Sequence, residues 1–351
     1  MTVVEHPLRS RTQLGPRSVR RSVTIGLVNN MADEALKVTE RQFGRLVSMS
    51  AGDVDVQLRF FALSGTPRSL RALEYITTCY EPACSVVDGG LDALIITGAQ
   101  PRAARLNEEP YWAELIELID WAKEHTVSTI LSCLAAHAGV LHLDGIERRP
   151  LREKCTGVFP FQAQRDHPLV GERGRTRLTP HSRFNGLSQA DLKLAGYDIL
   201  TSSPVHGVDS FTKCFGSQFI FLQGHPEYEA NSLAREYRRD VGQYFGGKTD
   251  RNPTRPKHYF AAEAEAELCA LERRPREDPP RLDMDDVSKI DAFAPTEAPW
   301  RNAAISFCRS WIETIVRPTR GRSANALETT PISSKPMLAS ETRSALRLTP
   351  L

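Results

Sequence analysis

The fold is decided by the stretch STILSCLAAH at residues 128–137. Residues 127–132 predict a strand, and residues 134–143 predict a helix. Cys133 lies at the junction, where small neighbours permit a tight turn. Such a turn presents the thiol beyond the carboxyl end of the strand, as in a nucleophile elbow. It also points the backbone N–H of Leu134 at the same place, where a helix N-terminus favours negative charge.

Strands and helices alternate on both sides of this stretch. Further strands are predicted at 23–28, 54–60, 91–97, 198–200 and 219–222, and further helices at 35–47, 112–122, 230–244 and 300–316. The predicted fold class is therefore α/β, with an open, mostly parallel sheet flanked by helices. Sheets of this kind bind ligands at the carboxyl ends of their strands.

Composition divides the chain into five parts. An arginine-rich start over 1–21 predicts a flexible N-terminal tail, with an organellar transit peptide as the alternative. Residues 22–246 form the predicted α/β domain. Residues 247–299 are rich in proline and charge and predict an irregular segment with one short solvated helix. Residues 300–316 predict a C-terminal helix that packs on the core, and 317–351 predict a disordered tail.

Charge and cysteine usage exclude several classes of function. The 351 residues carry 45 Lys+Arg against 43 Asp+Glu, a net charge of +2, which gives no electrostatic footprint for nucleic acid or an anionic membrane. Seven scattered cysteines without a CxxC motif do not form a disulfide or structural zinc framework. We therefore expect no nucleic-acid partner, no membrane partner, no metal and a cytoplasmic location.

A second candidate group follows the strand at 219–222. The sequence there continues as QGHPEY over 223–228, which places His225 just beyond the strand and Glu227 two residues later. In extended chain these two side chains point the same way. A thiol nucleophile needs a base, and the base needs an orienting group. We therefore predict Cys133, His225 and Glu227 as catalytic residues; taken singly, a buried structural cysteine and a turn histidine remain the alternatives.

Motifs along residues 22–316 resemble the homoserine O-acyltransferase family, the homoserine O-succinyltransferases of methionine biosynthesis. The resemblance implies the flavodoxin-like, class I glutamine amidotransferase-like fold. Cys133 and the His-Pro-Glu motif alone do not separate this family from the glutamine amidotransferases. The wider match is carried by Asn29-Asn30-Met31, residues 39–43, Thr97-Gly98-Ala99, Tyr111-Trp112, Ser132-Cys133, Glu153-Lys154, Gly157-Val158, Pro180-His181-Ser182-Arg183, residues 223–228, Glu236, Arg239-Asp240 and Trp300-Arg301.

The resemblance implies a ping-pong transfer from acyl-CoA to the hydroxyl of L-homoserine. Cys133 holds the acyl group as a thioester, His225 acts as the base, and Glu227 orients His225. The backbone N–H of Leu134 is then an oxyanion donor. The resemblance also implies a homodimer, with acyl-CoA as co-substrate and no bound cofactor.

Three residues match substrate-binding positions of the family. Arg239 matches the position that binds the amino-acid carboxylate, which suits the bidentate fork of arginine. Lys154 and Ser182 match further substrate contacts. The alternatives are solvated surface residues in each case.

The sequence departs from the family pattern at three places. Ala32-Asp33-Glu34 stands where many members have Met-Pro-Lys-Lys, and the nearest lysine is Lys37. Leu134 replaces a frequent tryptophan. Arg102 stands where a glycine accompanies succinyl transfer and a glutamate accompanies acetyl transfer. Because a guanidinium can pair with the free carboxylate of a succinyl group, Arg102 favours succinyl-CoA, unless its side chain faces solvent.

Other functions remain open at this point. An O-acetyltransferase or a serine O-acyltransferase fits the same scaffold, since one methylene is discriminated only about 10- to 200-fold. A glutamine amidotransferase-like cysteine hydrolase and a catalytically silent relative are the remaining interpretations.

Overall fold

The computed structural model describes residues 21–273 and 289–316. Its strands form one sheet of ten: β1 (Ser22–Val28), β2 (Asp55–Ala62), β3 (Glu81–Pro82), β4 (Ala93–Ile96), β5 (Ser128–Ser132), β6 (Arg149–Ala163), β7 (Thr176–Gly186), β8 (Asp198–Ser203), β9 (Gly207–Phe215) and β10 (Ser217–Leu222). The main helices are α1 (Asp33–Ser50), α2 (Leu70–Cys79), α3 (Trp112–His125), α4 (Leu134–Asp144), α5 (Gln189–Leu194), α6 (Ser232–Phe245), α7 (Ala262–Glu272) and α8 (Arg301–Val316).

The strand order is β3-β2-β1-β4-β5-β10-β9-β8-β6-β7. The strands from β3 to β10 in this order pair in parallel, and those from β10 to β7 pair antiparallel. The predicted α/β class with an open, mostly parallel sheet is confirmed. The carboxyl ends of β4, β5 and β10 lie side by side, so the loops that follow them meet at one edge of the sheet.

Apolar helix faces cover both sides of this sheet. On one side, α3 and α4 bury residues such as Leu115, Ile119 and Val140. On the other side, α1 and α8 pack together, and the fully buried Trp311 donates its indole N–H to the Ser128 hydroxyl at 3.0 Å. The C-terminal helix is therefore part of the core.

A third apolar cluster joins α6, α7 and Trp300. It includes Ala264 and Leu268, so the helix in the proline- and charge-rich segment is buried on one side and is not wholly solvated. The predicted tails lie outside the described residues, except for Arg21. Among the described residues, no helix is long and apolar enough to cross a membrane.

Candidate active site

The nucleophile elbow is strained at Cys133. This residue has φ 53° and ψ −112°, a backbone region that non-glycine residues rarely adopt and that functional sites often hold. Its N–H donates to the Leu222 carbonyl of β10 at 2.7 Å, and its carbonyl accepts from the Ala136 N–H at 3.0 Å. The first bond ties the end of β5 to β10, and the second starts α4. Cys133 is thus held between strand and helix, with its side chain half-buried.

The loop after β4 passes directly against this elbow. A Cβ atom added to Gly98 would lie 3.0 Å from the Leu134 nitrogen and 3.4 Å from the Cys133 Cβ, so a side chain here would crowd the elbow. As the first residue of α4, Leu134 has no helical acceptor for its N–H. That N–H is available beside the thiol, where an oxyanion would form.

His225 lies where the loop after β10 meets the elbow. Its backbone N–H donates to the Pro180 carbonyl at 2.9 Å. Its Nδ1 lies 2.8 Å from Glu227 Oε1, and its ring stacks on Tyr228 with centroids 4.2 Å apart. Because a carboxylate only accepts, Nδ1 carries the proton and Nε2 remains for Cys133.

The charges at this site favour a protonated His225. Burial lowers the pKa of the imidazole, but the negative charges of Cys133 and Glu227 and the hydrogen bonds to them outweigh burial, and the pKa lies well above 6.5. His225 and Glu227 are both buried, and Glu227 Oε2 has no hydrogen-bond partner among the described residues. The Glu227 charge therefore acts mainly on the histidine.

The turn before His225 rests on a second buried pair. A Cβ atom at Gly224 would lie 2.5 Å from Thr179 Cγ2, 2.7 Å from Asp209 Oδ1 and 2.8 Å from His181 Nε2. His181 Nε2 is 3.1 Å from Asp209 Oδ1, and burial lowers the pKa of His181 to about 4. His181 is thus neutral near pH 7, and the pair forms a fixed backing for the turn.

The start of α8 braces the same turn from the other side. The Tyr228 carbonyl accepts from the Trp300 indole N–H at 3.0 Å and from Arg301 at 3.1 Å. Tyr228 is the ring on which His225 stacks. Residues at the C-terminal end of the fold therefore help to place His225.

A chain of polar contacts leads from Tyr228 to the predicted substrate residues. The Tyr228 hydroxyl donates to Glu236 Oε1 at 2.7 Å. Asp240 accepts from Arg239 at 3.0 Å and from Lys154 Nζ at 2.5 Å. Burial lowers the pKa of Arg239, but the Glu236 and Asp240 charges outweigh it, and the net pKa is raised. Lys154 and Arg239 therefore share one carboxylate.

Ser182 lies on β7, the strand that pairs with the Lys154 strand β6. It pairs with Thr156 across β7 and β6, two residues from Lys154 on β6, and Lys154 Nζ lies 5.3 Å from the Phe184 ring centroid on β7. The structure thus brings Lys154, Ser182 and Arg239 to neighbouring elements near the turn that carries His225.

Comparison with known proteins gives the family. The family model described as Homoserine O-succinyltransferase matches residues 10–320. The chain belongs to the homoserine O-succinyltransferase family. The Homoserine O-succinyltransferase of Methylorubrum extorquens is 42% identical over 300 residues, covering 85% of this chain and 88% of that protein. That of Rhodopseudomonas palustris is 48% identical over 251 residues, covering 72% and 75%. The resemblance found in the sequence is confirmed, and the family is one of acyltransferases.

Solved structures that the chain matches include a glutamine amidotransferase from Thermotoga maritima. It is 12% identical, has a TM-score of 0.43, and covers 84% of this chain and 98% of its own.

Arg102 lies apart from the other predicted residues of this homoserine O-succinyltransferase family member. Its backbone N–H donates to Glu109 Oε1 at 2.7 Å, which anchors the loop. Its side chain is exposed. Lys37 does not replace the lysine of other family members, because its Nζ lies 4.1 Å from the Tyr75 ring centroid on α2.

The sequence analysis assigned no role to Glu236, although this residue belongs to the matched motifs. Its i, i+3 spacing from Arg239 on α6 places both side chains on one helix face. Glu236 Oε2 is a buried oxygen without a partner among the described residues. Among those residues there is also no group of three His, Cys, Asp or Glu side chains that could hold a metal ion.

Proposed function

We propose that this chain transfers an acyl group from acyl-CoA to the hydroxyl of L-homoserine through a thioester on Cys133. The observation that carries the proposal is the strained elbow at Cys133 beside the buried His225–Glu227 pair. Membership of the homoserine O-succinyltransferase family supports the reaction class. Cys133 is then the nucleophile and His225 the base. Glu227 orients His225, and the Leu134 N–H is an oxyanion donor.

In the first half-reaction, the Cys133 thiolate attacks the thioester carbonyl, and the oxyanion forms at the Leu134 N–H. The carbon–sulfur bond to CoA then breaks. The His225 imidazolium gives its proton to the departing CoA sulfur, so free CoA–SH leaves. Acylation also removes the negative charge of Cys133, one of the charges that raise the pKa of His225. The acyl-enzyme therefore contains a more readily neutral imidazole.

In the second half-reaction, neutral His225 removes the proton from the homoserine hydroxyl as the oxygen attacks the acyl-enzyme. The bond to Cys133 sulfur breaks, the ester leaves, and the imidazolium–thiolate pair is restored. Glu227 fixes the orientation of the His225 ring in both half-reactions and stabilises the imidazolium form of that ring.

The acceptor homoserine fits the face of α6 that carries Glu236 and Arg239. The Arg239 guanidinium suits its carboxylate, and the unpartnered Glu236 Oε2 suits its ammonium group. Lys154 and Ser182 lie on the adjoining strands and complete the surface. Asp240 holds both Lys154 and Arg239, so it fixes the spacing between them.

Replacing Arg239 by methionine tests this assignment. We expect the KM for homoserine to rise roughly 10- to 100-fold, the value of one charge-assisted hydrogen-bonded contact. The rate at which Cys133 is acylated should stay unchanged, because no amino acid is bound in that step. Steady-state kinetics and a stopped acylation assay measure the two quantities. Arg235→Met on the same helix is the matched control; an unchanged KM in Arg239→Met contradicts the role.

For the donor, we propose succinyl-CoA. The curated family name supports it, and Arg102 on the loop after β4 is the sequence-based candidate for its free carboxylate. The exposed Arg102 side chain reaches that group only if it turns inward over the elbow.

A panel of donors and acceptors tests the function as a whole. Succinyl-CoA and acetyl-CoA are each combined with homoserine and serine, and ester formation is followed by mass spectrometry. We expect the highest kcat/KM for succinyl-CoA with homoserine. A strong acetyl preference overturns the donor, a serine preference overturns the acceptor, and glutaminase activity without ester favours the cysteine hydrolase. We propose that the enzyme is cytoplasmic and acts as a homodimer. Sedimentation of the purified chain measures the oligomeric state.

A further inference from the structure

A small, partly open pocket lies beside the nucleophile elbow. It is bounded by the loop after β4, the start of α3 and the first turns of α4, with Asn30, Thr97, Tyr111 and Leu134 among its lining residues. Leu134 follows the nucleophile directly, so the pocket begins where an acyl group on Cys133 would extend.

Two buried polar atoms of this pocket have no hydrogen-bond partner within the described part of the chain. They are the Tyr111 hydroxyl oxygen and Asn30 Oδ1, in residues only 5% and 2% exposed. Buried polar atoms are almost always paired. Two buried polar atoms without partners, so close to the nucleophile, indicate that a polar group of a ligand enters the pocket.

The charge of Arg148 acts on the residues around this pocket. Arg148 follows α4 and is half-buried. Its guanidinium interacts electrostatically with Cys133, Glu109 and Tyr111, although burial, the larger influence, lowers its pKa. Arginine nevertheless remains charged near neutral pH. Within residues 21–273 and 289–316, no hydrogen bond or ion pair of this side chain is found.

Glu109 attracts Arg148 electrostatically but forms no ion pair with it among the described residues. Its Oε1 accepts the backbone N–H groups of Arg102 and Ala103 at 2.7 and 2.9 Å. This carboxylate is therefore used to fix the loop over the pocket. Arg148 has no ion-pair partner within 4.0 Å among the described residues, so it can still donate hydrogen bonds to a bound anion, which then competes with the longer-range attraction of Glu109, whose Oε2 has no hydrogen-bond partner there.

We propose that Arg148 and Tyr111 bind the free carboxylate of a dicarboxylic acyl group while that group is attached to Cys133. The inference rests on the proposed function and specifies its donor subsite. In a succinyl group, two methylenes separate the carboxylate from the thioester, so the anion must lie close to the nucleophile. The CoA phosphates are kept away by the pantetheine arm, and the homoserine carboxylate is assigned to Arg239 on α6. A partly buried guanidinium beside a phenol hydroxyl suits a carboxylate and gives an acetyl methyl nothing to bind.

The test compares succinyl-CoA with acetyl-CoA in Arg148→Met, Arg148→Lys, Tyr111→Phe and Arg102→Met. Arg152→Met, an exposed position on β6, is the control. The rate of adduct formation on Cys133 is read by intact mass, and kcat/KM is measured for ester formation. Arg148→Met should lose at least about 30-fold with succinyl-CoA and retain its rate with acetyl-CoA. Arg148→Lys should retain part of the succinyl rate, and Tyr111→Phe should lose about tenfold.

Each other outcome overturns the inference. Equal losses with both donors in Arg148→Met and Arg148→Lys assign Arg148 to the thiol or to folding. A selective succinyl loss in Arg102→Met alone places the carboxylate on the outer loop. If the unaltered protein forms no adduct from succinyl-CoA, the proposed function itself fails, and this subsite fails with it.

Discussion

Cys133→Ser should lower acyl transfer at least about 10³-fold and remove the acyl adduct. A serine hydroxyl remains protonated at neutral pH, so the nucleophile is lost. The negative charge that raises the pKa of His225 is lost with it. Serine fits the space of cysteine, so the elbow at φ 53° should persist. Intact mass after incubation with succinyl-CoA, followed by addition of homoserine, measures both formation and discharge of the adduct.

Cys84→Ser is the matched control, because this free thiol is exposed but lies far from the elbow in the strand order. It should form and discharge the adduct like the unaltered protein. A persistent adduct in Cys133→Ser, or its loss in Cys84→Ser, contradicts the assignment of the nucleophile.

The second large effect concerns the His225–Glu227 pair. His225→Ala should lose at least about 10³-fold in kcat, because both half-reactions use the imidazole. Glu227→Gln should retain more activity, with a changed pH profile. Because the Glu227 charge raises the pKa of His225, its removal lowers that pKa. The base must be neutral to accept the homoserine proton. The acid limb of kcat should therefore move to lower pH in Glu227→Gln.

Glu229→Gln is the matched control, since Glu229 lies two residues later and pairs with Arg41 at 2.7 Å, outside the catalytic pair. Its acid limb should stay in place. A kcat profile that keeps its acid limb in Glu227→Gln would show that another group sets the pH dependence. The profiles are measured at saturating homoserine, so that substrate binding does not alter them.

The parallel half of the fold follows from local sequence. β4 is a continuous apolar run, β5 is buried throughout, and the small residues around Cys133 indicate the elbow. The antiparallel half is different. The first part of β6 is exposed, so it lacks an apolar run, and it pairs with β7, the next strand along the chain. Only tertiary contacts define such strands.

The site shows the same division. His225 and Glu227 could be predicted because two residues in one turn suffice for their contact. Arg148 could not, because its charge becomes relevant only when the chain after α4 returns beside Cys133. The link from Asp240 to Lys154 likewise joins residues 86 positions apart. Spacing along one helix or turn is visible in a sequence, whereas convergence of separate elements is visible only where the ends of parallel strands imply it, as for Cys133 and His225.

The bonds from Trp300 and Arg301 to the Tyr228 carbonyl have a consequence for biosynthesis. Translation makes the thiol of Cys133 and its local elbow long before α8. A nascent chain that ends at residue 299 therefore carries a nucleophile whose histidine is not yet braced. These bonds form only when the last helix of the described fold has docked, so the Tyr228 ring that supports His225 is fully braced only at that stage of folding.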